Sequence, residues 1–128
     1  MPFDKQKAAE FITKKGFVLP PFGIGKCAPH VRMALEAGGL NTAGHPVPAK
    51  DWGPTLTRIG FKAISADDAY LPQTGDVIVI QAIKGHPYGH IELYDGKNWV
   101  SDFIQQDMWP ARAYPAEKAK YQIFRYSL

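Results

Sequence analysis

The sequence lacks the features that mark several common classes of protein. Its 128 residues contain one cysteine, Cys27, so no disulfide can form within the chain. No apolar run approaches the roughly 18–20 residues needed to span a membrane. There is no phosphate-binding glycine loop followed by Lys-Ser or Lys-Thr, and the histidines and acids lack the spacing of metal ligands. We therefore expect no membrane span, no metal and no other cofactor.

The composition otherwise predicts an ordinary globular protein. Apolar residues make up 45% of the chain and charged residues 21%, which suits one domain over 1–128. The net charge of +3 is compatible with an anionic polymer such as nucleic acid or bacterial cell wall. Because the lysines and arginines form no stripe, we do not expect nucleic acid to be the partner. Twelve glycines and eleven prolines predict many turns and short elements.

Helical patterns dominate the first half of the chain. The spacing of Ala8, Phe11 and Ile12 predicts a helix from Asp4 to Lys15, capped by Asp4 and ended by Gly16. A second helix is predicted to begin at Cys27 and to end at Gly38-Gly39. Residues 49–59 predict a third, short helix.

Strand patterns dominate the second half. Val77–Ile80 is a β-branched apolar run, and 90–94 and 99–103 flank Asp95-Gly96-Lys97-Asn98, a hairpin signal. Residues 61–64 and 121–126 predict two more strands, and 105–117 is expected to be irregular. Helices followed by an antiparallel sheet predict an α+β fold in which the N-terminal helices pack on the sheet.

Cys27 is the first candidate for chemistry. At a helix N-terminus, the unpaired N–H groups favour a thiolate, which is the reactive form of cysteine. Gly25 and its neighbours would allow the backbone to approach a substrate closely, which makes Gly25 a candidate for substrate binding. The alternative is that Cys27 is an inert buried residue.

His90 is the second candidate, at the start of a predicted strand. A histidine there could accept the thiol proton of Cys27 and later protonate a leaving amine. The alternative is a structural histidine that hydrogen-bonds the backbone. Within the strand, His90, Glu92 and Tyr94 share one face.

A catalytic histidine usually has a third group that orients it, and Asp102 is our candidate. Cross-strand pairing puts Asp102 on the face of His90 only if the hairpin connection has an odd number of residues or a bulge. Ser101 is the alternative by register, and Glu92 is on the correct face but reaches less easily. For the walls of a cleft we consider Tyr88 and Trp109, either of which could instead be a core or rim aromatic.

The order of these parts resembles the papain-like peptidoglycan hydrolases of the NlpC/P60 and CHAP superfamily. The resemblance is carried by the glycine-x-cysteine at a helix start, by Pro72–Val77, by Gly89-His90-Ile91 and by the Tyr94-Asp95-Gly96 turn. It implies a papain-like fold with Cys27 as nucleophile, His90 as base and Asp102 in the place of the third polar residue. The Asp-Cys-Ser-Gly common around the NlpC/P60 cysteine is absent here.

The resemblance implies cleavage of an amide in the peptide stem of peptidoglycan through a thioester. The N-terminal residues lack the apolar stretch of a secretory signal, so we expect synthesis in the cytoplasm. A small amidase of this kind is similar to type VI secretion effectors, which act in the periplasm of a target bacterium and are neutralised by a cognate immunity protein. The alternatives are a phage endolysin, another Cys-His acyl transfer such as deamidation or transglutamination, and an inactive binding module for wall or protein.

Overall fold

The computed structural model describes residues 3–17, 27–67 and 69–127. Within these ranges the helices are α1 (Lys5–Phe17), α2 (Cys27–Ala37), α3 (Gly53–Arg58) and α4 (Ala113–Ala116), with a single 3₁₀ turn at Ala49–Asp51. The strands are β1 (Phe61–Ile64), β2 (Val77–Ile80), β3 (His90–Tyr94), β4 (Trp99–Val100) and β5 (Tyr121–Tyr126). The predicted α+β class is confirmed.

The strands form one sheet in the order β1-β5-β2-β3-β4, and every neighbouring pair is antiparallel. All residues of β2 are buried, as expected for a β-branched run covered on both faces. Antiparallel pairing places Ile80 opposite His90 at the end of the β2–β3 pair. The start of β3, which carries His90, therefore lies at one end of the sheet, next to the loop from 81 to 89.

Each face of the sheet has its own apolar core. Ile91 and Leu93 of β3 pack with Val31 and Leu35 of α2 and with Ile12 of α1. On the opposite face, Ile78, Ile80 and Ile123 pack with Tyr114 and with the partly buried aromatics around it. Alternation along β3 puts His90 and Glu92 on this second face. The segment that leads into α4 covers that face and shields both polar residues from water.

Most of the predicted helix limits agree with the structure. Asp4 caps α1 by accepting a hydrogen bond at 3.0 Å from the amide of Lys7, as predicted, but the helix continues past Gly16 to Phe17. The helix predicted over 49–59 is instead split at Trp52 into the 3₁₀ turn and α3. Pro54 explains the split, because it has no amide hydrogen and its ring would clash with the carbonyl four residues earlier in a continuous helix.

The β3–β4 hairpin has a register that the sequence left open. Tyr94 pairs with Trp99, so the connection is the four-residue turn Asp95–Asn98, and the odd-numbered connection that would put Asp102 on the face of His90 by strand alternation does not form. Asp95 stabilises this turn, since its Oδ1 accepts hydrogen bonds from the amides at 97 and 98. Strand alternation does not decide where the Asp102 side chain points, because β4 ends at Val100.

The chain turns sharply after β4. The amide of Ser101 donates to the carbonyl of Phe103, and the amide of Gln105 donates back to the carbonyl of Trp99. The strand predicted over 99–103 is therefore shorter than expected. This turn brings Asp102 and Gln105 toward the end of the sheet where His90 lies.

Asp76 explains part of the motif that carries the family resemblance. Its buried carboxylate receives two hydrogen bonds at 2.8 Å from the Arg125 guanidinium, one from the Tyr70 hydroxyl and one from the Gln73 amide. Burial and this carboxylate raise the pKa of Tyr70 well above its ordinary value. Asp76 thus joins β5 to the loop before β2 and has a structural role.

Candidate active site

An open cleft of about 370 Å³ lies beside the start of β3, and Cys27, His90 and Asp102 all contribute to its walls. The other walls come from the loop before β3, from Phe103 and from the segment around α4, including Tyr114. A groove of about 460 Å³ runs along β1 and β5, but none of the residues that line it is a cysteine or histidine. The cleft at β3 is therefore the candidate active site.

Cys27 is the first residue of α2 and is partly exposed to the cleft. The helix begins there with Pro29 in its first turn, where a proline removes no intrahelical hydrogen bond. Helix α2 packs against β3, which fixes the thiol near the start of that strand. The N–H groups of the first turn have no partner within the helix and can stabilise a negative charge beside the sulfur.

His90 is buried, with 6% of its surface exposed, and one nitrogen of its ring contacts two polar side chains. The ring Nε2 lies 2.9 Å from Oε1 of Gln105 and 3.3 Å from Oε1 of Glu92. The ring also interacts with the Cys27 side chain, which lines the same cleft. Because Nε2 is occupied by Gln105 and Glu92, we assign the contact with the thiol to Nδ1.

The charges around His90 favour its protonated form. Burial alone would lower the pKa of His90, but the hydrogen bonds and charges of Cys27 and Glu92 outweigh it and raise this pKa to about 10. At neutral pH this environment favours the imidazolium form of His90. An imidazolium beside a cysteine is the setting in which a cysteine nucleophile is activated.

Gln105 contacts Nε2 of His90, and no sequence pattern predicted this role. Its Nε2 donates to Oε1 of Glu92 at 3.0 Å and to the carbonyl of Asp107 at 3.1 Å. Its Oε1 is therefore the acceptor for His90 Nε2, and it also lies 2.9 Å from the hydroxyl of Ser101. Gln105 lies in a stretch of the sequence that shows no strand or helix pattern, so no periodicity pointed to it.

The loop before β3 forms another part of the cleft wall. Gly89 has φ +67°, and a Cβ there would lie 2.3 Å from the carbonyl oxygen of Ile80, so this close approach requires glycine. The amide of Lys50 donates to the carbonyl of Tyr88, which anchors the loop to the 3₁₀ turn. His86 packs on Tyr114 with a ring separation of 5.1 Å.

The predicted site residues are distributed unevenly around this cleft. Tyr88 lines it and is 66% exposed. Asp102 is 4% exposed and its Oδ1 lies 3.3 Å from the hydroxyl of Ser101. Trp109 packs edge-on against Tyr121 beside the second core and is outside the cleft lining. Gly25 lies outside the described residues.

None of the helices in the described ranges has the length and apolarity that crossing a bilayer requires. In the same part of the chain, no group of three or more His, Cys, Asp or Glu side chains is arranged to hold a metal ion.

Solved structures similar to this chain come from a type VI secretion system. One is the crystal structure of the native effector-immunity complex Tae3-Tai3 from Ralstonia pickettii, with 36% identity, a TM-score of 0.85, and coverage of 98% of this chain and 100% of that chain. The selenomethionine form of the same complex gives 39% identity, a TM-score of 0.79 and coverage of 92% and 98%. The family models and the curated proteins give no match. The chain belongs to the family of one component of the Tae3-Tai3 type VI effector-immunity complex.

Proposed function

We propose that this chain is the effector of such a pair, and that it is a cysteine amidase that cleaves the peptide stem of bacterial peptidoglycan. The observation that carries the proposal is the contact between Cys27 and a buried His90 at the wall of an open cleft. An immunity protein acts by binding and has no need of a nucleophile beside a base. The same arrangement, with the cysteine at a helix start and the histidine at a strand start, supports the papain-like fold that the sequence suggested.

In the first half of the reaction, Cys27 attacks the carbonyl carbon of the stem amide. The thiol proton is on His90 when the sulfur attacks, and the C=O oxygen becomes an oxyanion that the backbone N–H of Cys27 can stabilise. The intermediate collapses when His90 gives this proton to the amide nitrogen. The C–N bond breaks, the amine leaves, and the acyl group remains on the sulfur as a thioester.

In the second half, water hydrolyses the thioester. His90 accepts a proton from the water as its oxygen attacks the acyl carbon, and the C–S bond then breaks. The sulfur leaves as the thiolate beside the imidazolium, and the peptide leaves as a carboxylic acid that releases its remaining proton to the solvent. The cycle thus returns the pair to its starting state with no external cofactor.

The walls of the cleft suit a peptide substrate. Tyr88, Phe103 and Tyr114 provide aromatic surface in the cleft that Cys27 lines. We propose Tyr88 as a substrate contact because it is exposed at the rim. Asp102 also lines the cleft, and we propose it as the third polar residue of the site. Gln105 and Glu92 contact Nε2 of His90.

The type VI relationship also supports a route and a partner. We propose that the chain is secreted, acts on peptidoglycan in the periplasm of a target bacterium, and is neutralised by a cognate immunity protein. The type VI relatives favour this assignment over a phage endolysin. Deamidation, transglutamination and an inactive binding module are outcomes that the experiments below separate from it.

Purified peptidoglycan fragments provide the first test. We expect the wild type to release peptides that carry a new amine and a new carboxylate, detected by liquid chromatography and mass spectrometry, and Cys27→Ala to release none. His45→Ala is a matched control, because this exposed histidine stacks on Trp52 away from the cleft. Uncut fragments with the wild type would contradict the proposed amidase. Fragments that are bound but uncut would identify a binding module.

Expression in a susceptible bacterium separates effector from immunity protein. With a secretory leader added to direct the chain to the periplasm, we expect the wild type to lyse the cells and Cys27→Ala to be harmless. An immunity protein would be harmless in both forms and would protect cells from a related effector.

A further inference from the structure

Glu92 is a buried acid that the proposed reaction does not use. It lies on β3 two residues after His90, and its residue exposure is 0%. A carboxylate without contact with water is costly to ionise unless a cation or hydrogen-bond donors compensate its charge. Such a residue therefore needs an explanation beyond packing.

The polar contacts of Glu92 involve one of its two carboxylate oxygens, the one near His90. Its Oε1 accepts a hydrogen bond from Gln105 at 3.0 Å and lies 3.3 Å from Nε2 of His90. Its Oε2 is buried and has no hydrogen-bond partner among the described residues. The groups that can stabilise the charge of this carboxylate therefore contact the oxygen that faces Gln105 and His90.

Among the titratable groups that surround Glu92, one can carry a positive charge. Asp107 approaches from the segment after β4, Tyr114 from α4, and Cys27 from beyond the His90 ring. Of these groups and His90, only the imidazole can become a cation. Burial, and to a lesser extent the charge of Asp107, raise the pKa of Glu92 above its ordinary value, and His90 and Gln105 offset only part of this rise.

We propose that Glu92 is a positioning residue that stabilises the positive charge on His90 and thereby keeps Cys27 as a thiolate. Because Glu92 accepts from Nε2 of Gln105, it also turns Oε1 of that amide toward His90. The carboxylate thus acts on the sulfur through His90, both directly and through Gln105, without touching the sulfur. This inference rests on the Cys27–His90 pair of the proposed function, but not on the identity of the substrate.

Alkylation of Cys27 by iodoacetamide tests the role of Glu92 without any wall fragment. The chain has one cysteine, so the rate reports on this thiol alone, and its pH profile follows the thiolate. Glu92→Gln keeps the shape and the hydrogen-bond acceptor but removes the charge. With less support for the imidazolium, we expect the pH of half-maximal alkylation rate to rise by about 1–3 units.

Glu117→Gln is the matched control, because it makes the same chemical change at an exposed position on the chain. Its alkylation profile should coincide with that of the wild type. If Glu92→Gln also coincides with the wild type, the proposal is wrong. A failure to cleave peptidoglycan would leave this alkylation result unaffected, so the two proposals can fail separately.

A measurement on the wild type covers the case in which Glu92→Gln does not fold. The carboxyl ¹³C shift of Glu92, followed by NMR in glutamate-labelled protein, distinguishes the ionised acid from the protonated acid. We expect the shift of an ionised carboxylate at neutral pH. The shift of a protonated carboxyl group would overturn the proposal, because a neutral acid cannot stabilise the imidazolium charge.

Discussion

His90→Asn should lower the rate of peptidoglycan cleavage by about 10²–10⁴-fold, which is the usual contribution of one general acid–base group. The asparagine can still hydrogen-bond Gln105, but it can neither accept the thiol proton nor protonate the leaving amine. The rate is measured as stem peptide released per enzyme under saturating fragments, so that the loss is assigned to the chemical steps.

His45→Asn provides the control for this substitution. It replaces an exposed histidine outside the cleft lining, and we expect its cleavage rate to match the wild type. Comparable rates for His90→Asn and the wild type would mean that His90 is a structural histidine, the alternative that the sequence left open. Circular dichroism of the variants excludes unfolding as the cause of a loss.

Asp76→Asn should lower the free energy of unfolding by about 3 kcal/mol. Its carboxylate is 1% exposed, and the substitution removes the charge that compensates Arg125 and weakens the hydrogen bonds to Tyr70 and Gln73. Breaking a buried ion pair costs roughly 3–5 kcal/mol, and the 32% exposure of the arginine side chain puts this pair at the lower end. Urea denaturation gives the value.

Asp107→Asn tests whether burial is the reason for that loss. Asp107 pairs with Arg112 at the same 2.8 Å, but the two side chains are 49% and 69% exposed. Exposed pairs contribute about 0–1 kcal/mol, so we expect this variant to lose less than about 1 kcal/mol. Equal losses at the two sites would show that the Asp76 network has no special role in stability.

Local sequence patterns predicted the elements that position the site. The β-branched run of β2, the start of α2 at Cys27 and the start of β3 at His90 are confirmed. These elements follow from short-range periodicity, which the sequence displays directly. The split at Trp52 was missed because the apolar spacing of residues 49–59 continues across Pro54, whereas the backbone hydrogen bonds cannot.

The positions of Asp102 and Gln105 near His90 could not be predicted in the same way. Tyr94 pairs with Trp99, so the turn has an even number of residues. If β4 had continued, strand alternation would have put Asp102 on the face opposite His90. The end of β4 at Val100 removed that constraint, and the hydrogen bond from Gln105 to Trp99 set the new path. This path depends on tertiary contacts of an irregular segment, for which the sequence has no periodic signal.

Glu92 was underestimated for a geometric reason. Residues two apart on a strand share a face, but their Cα atoms are separated by about two strand rises, which suggested that its carboxylate would not reach the ring. The carboxylate is instead 3.3 Å from Nε2 of His90, and the Gln105 amide lies against both groups. A long side chain can span a distance that backbone spacing alone makes unfavourable.

Capture of the acyl group from Cys27 tests the central proposal most directly. Hydroxylamine attacks thioesters, so digestion of peptidoglycan fragments in its presence diverts the acyl-enzyme from water. Mass spectrometry of the products should then show the hydroxamate of the cut stem peptide with the wild type and none with Cys27→Ala. Cleavage that yields only the free acid, or cleavage that persists in Cys27→Ala, would contradict a thioester on Cys27.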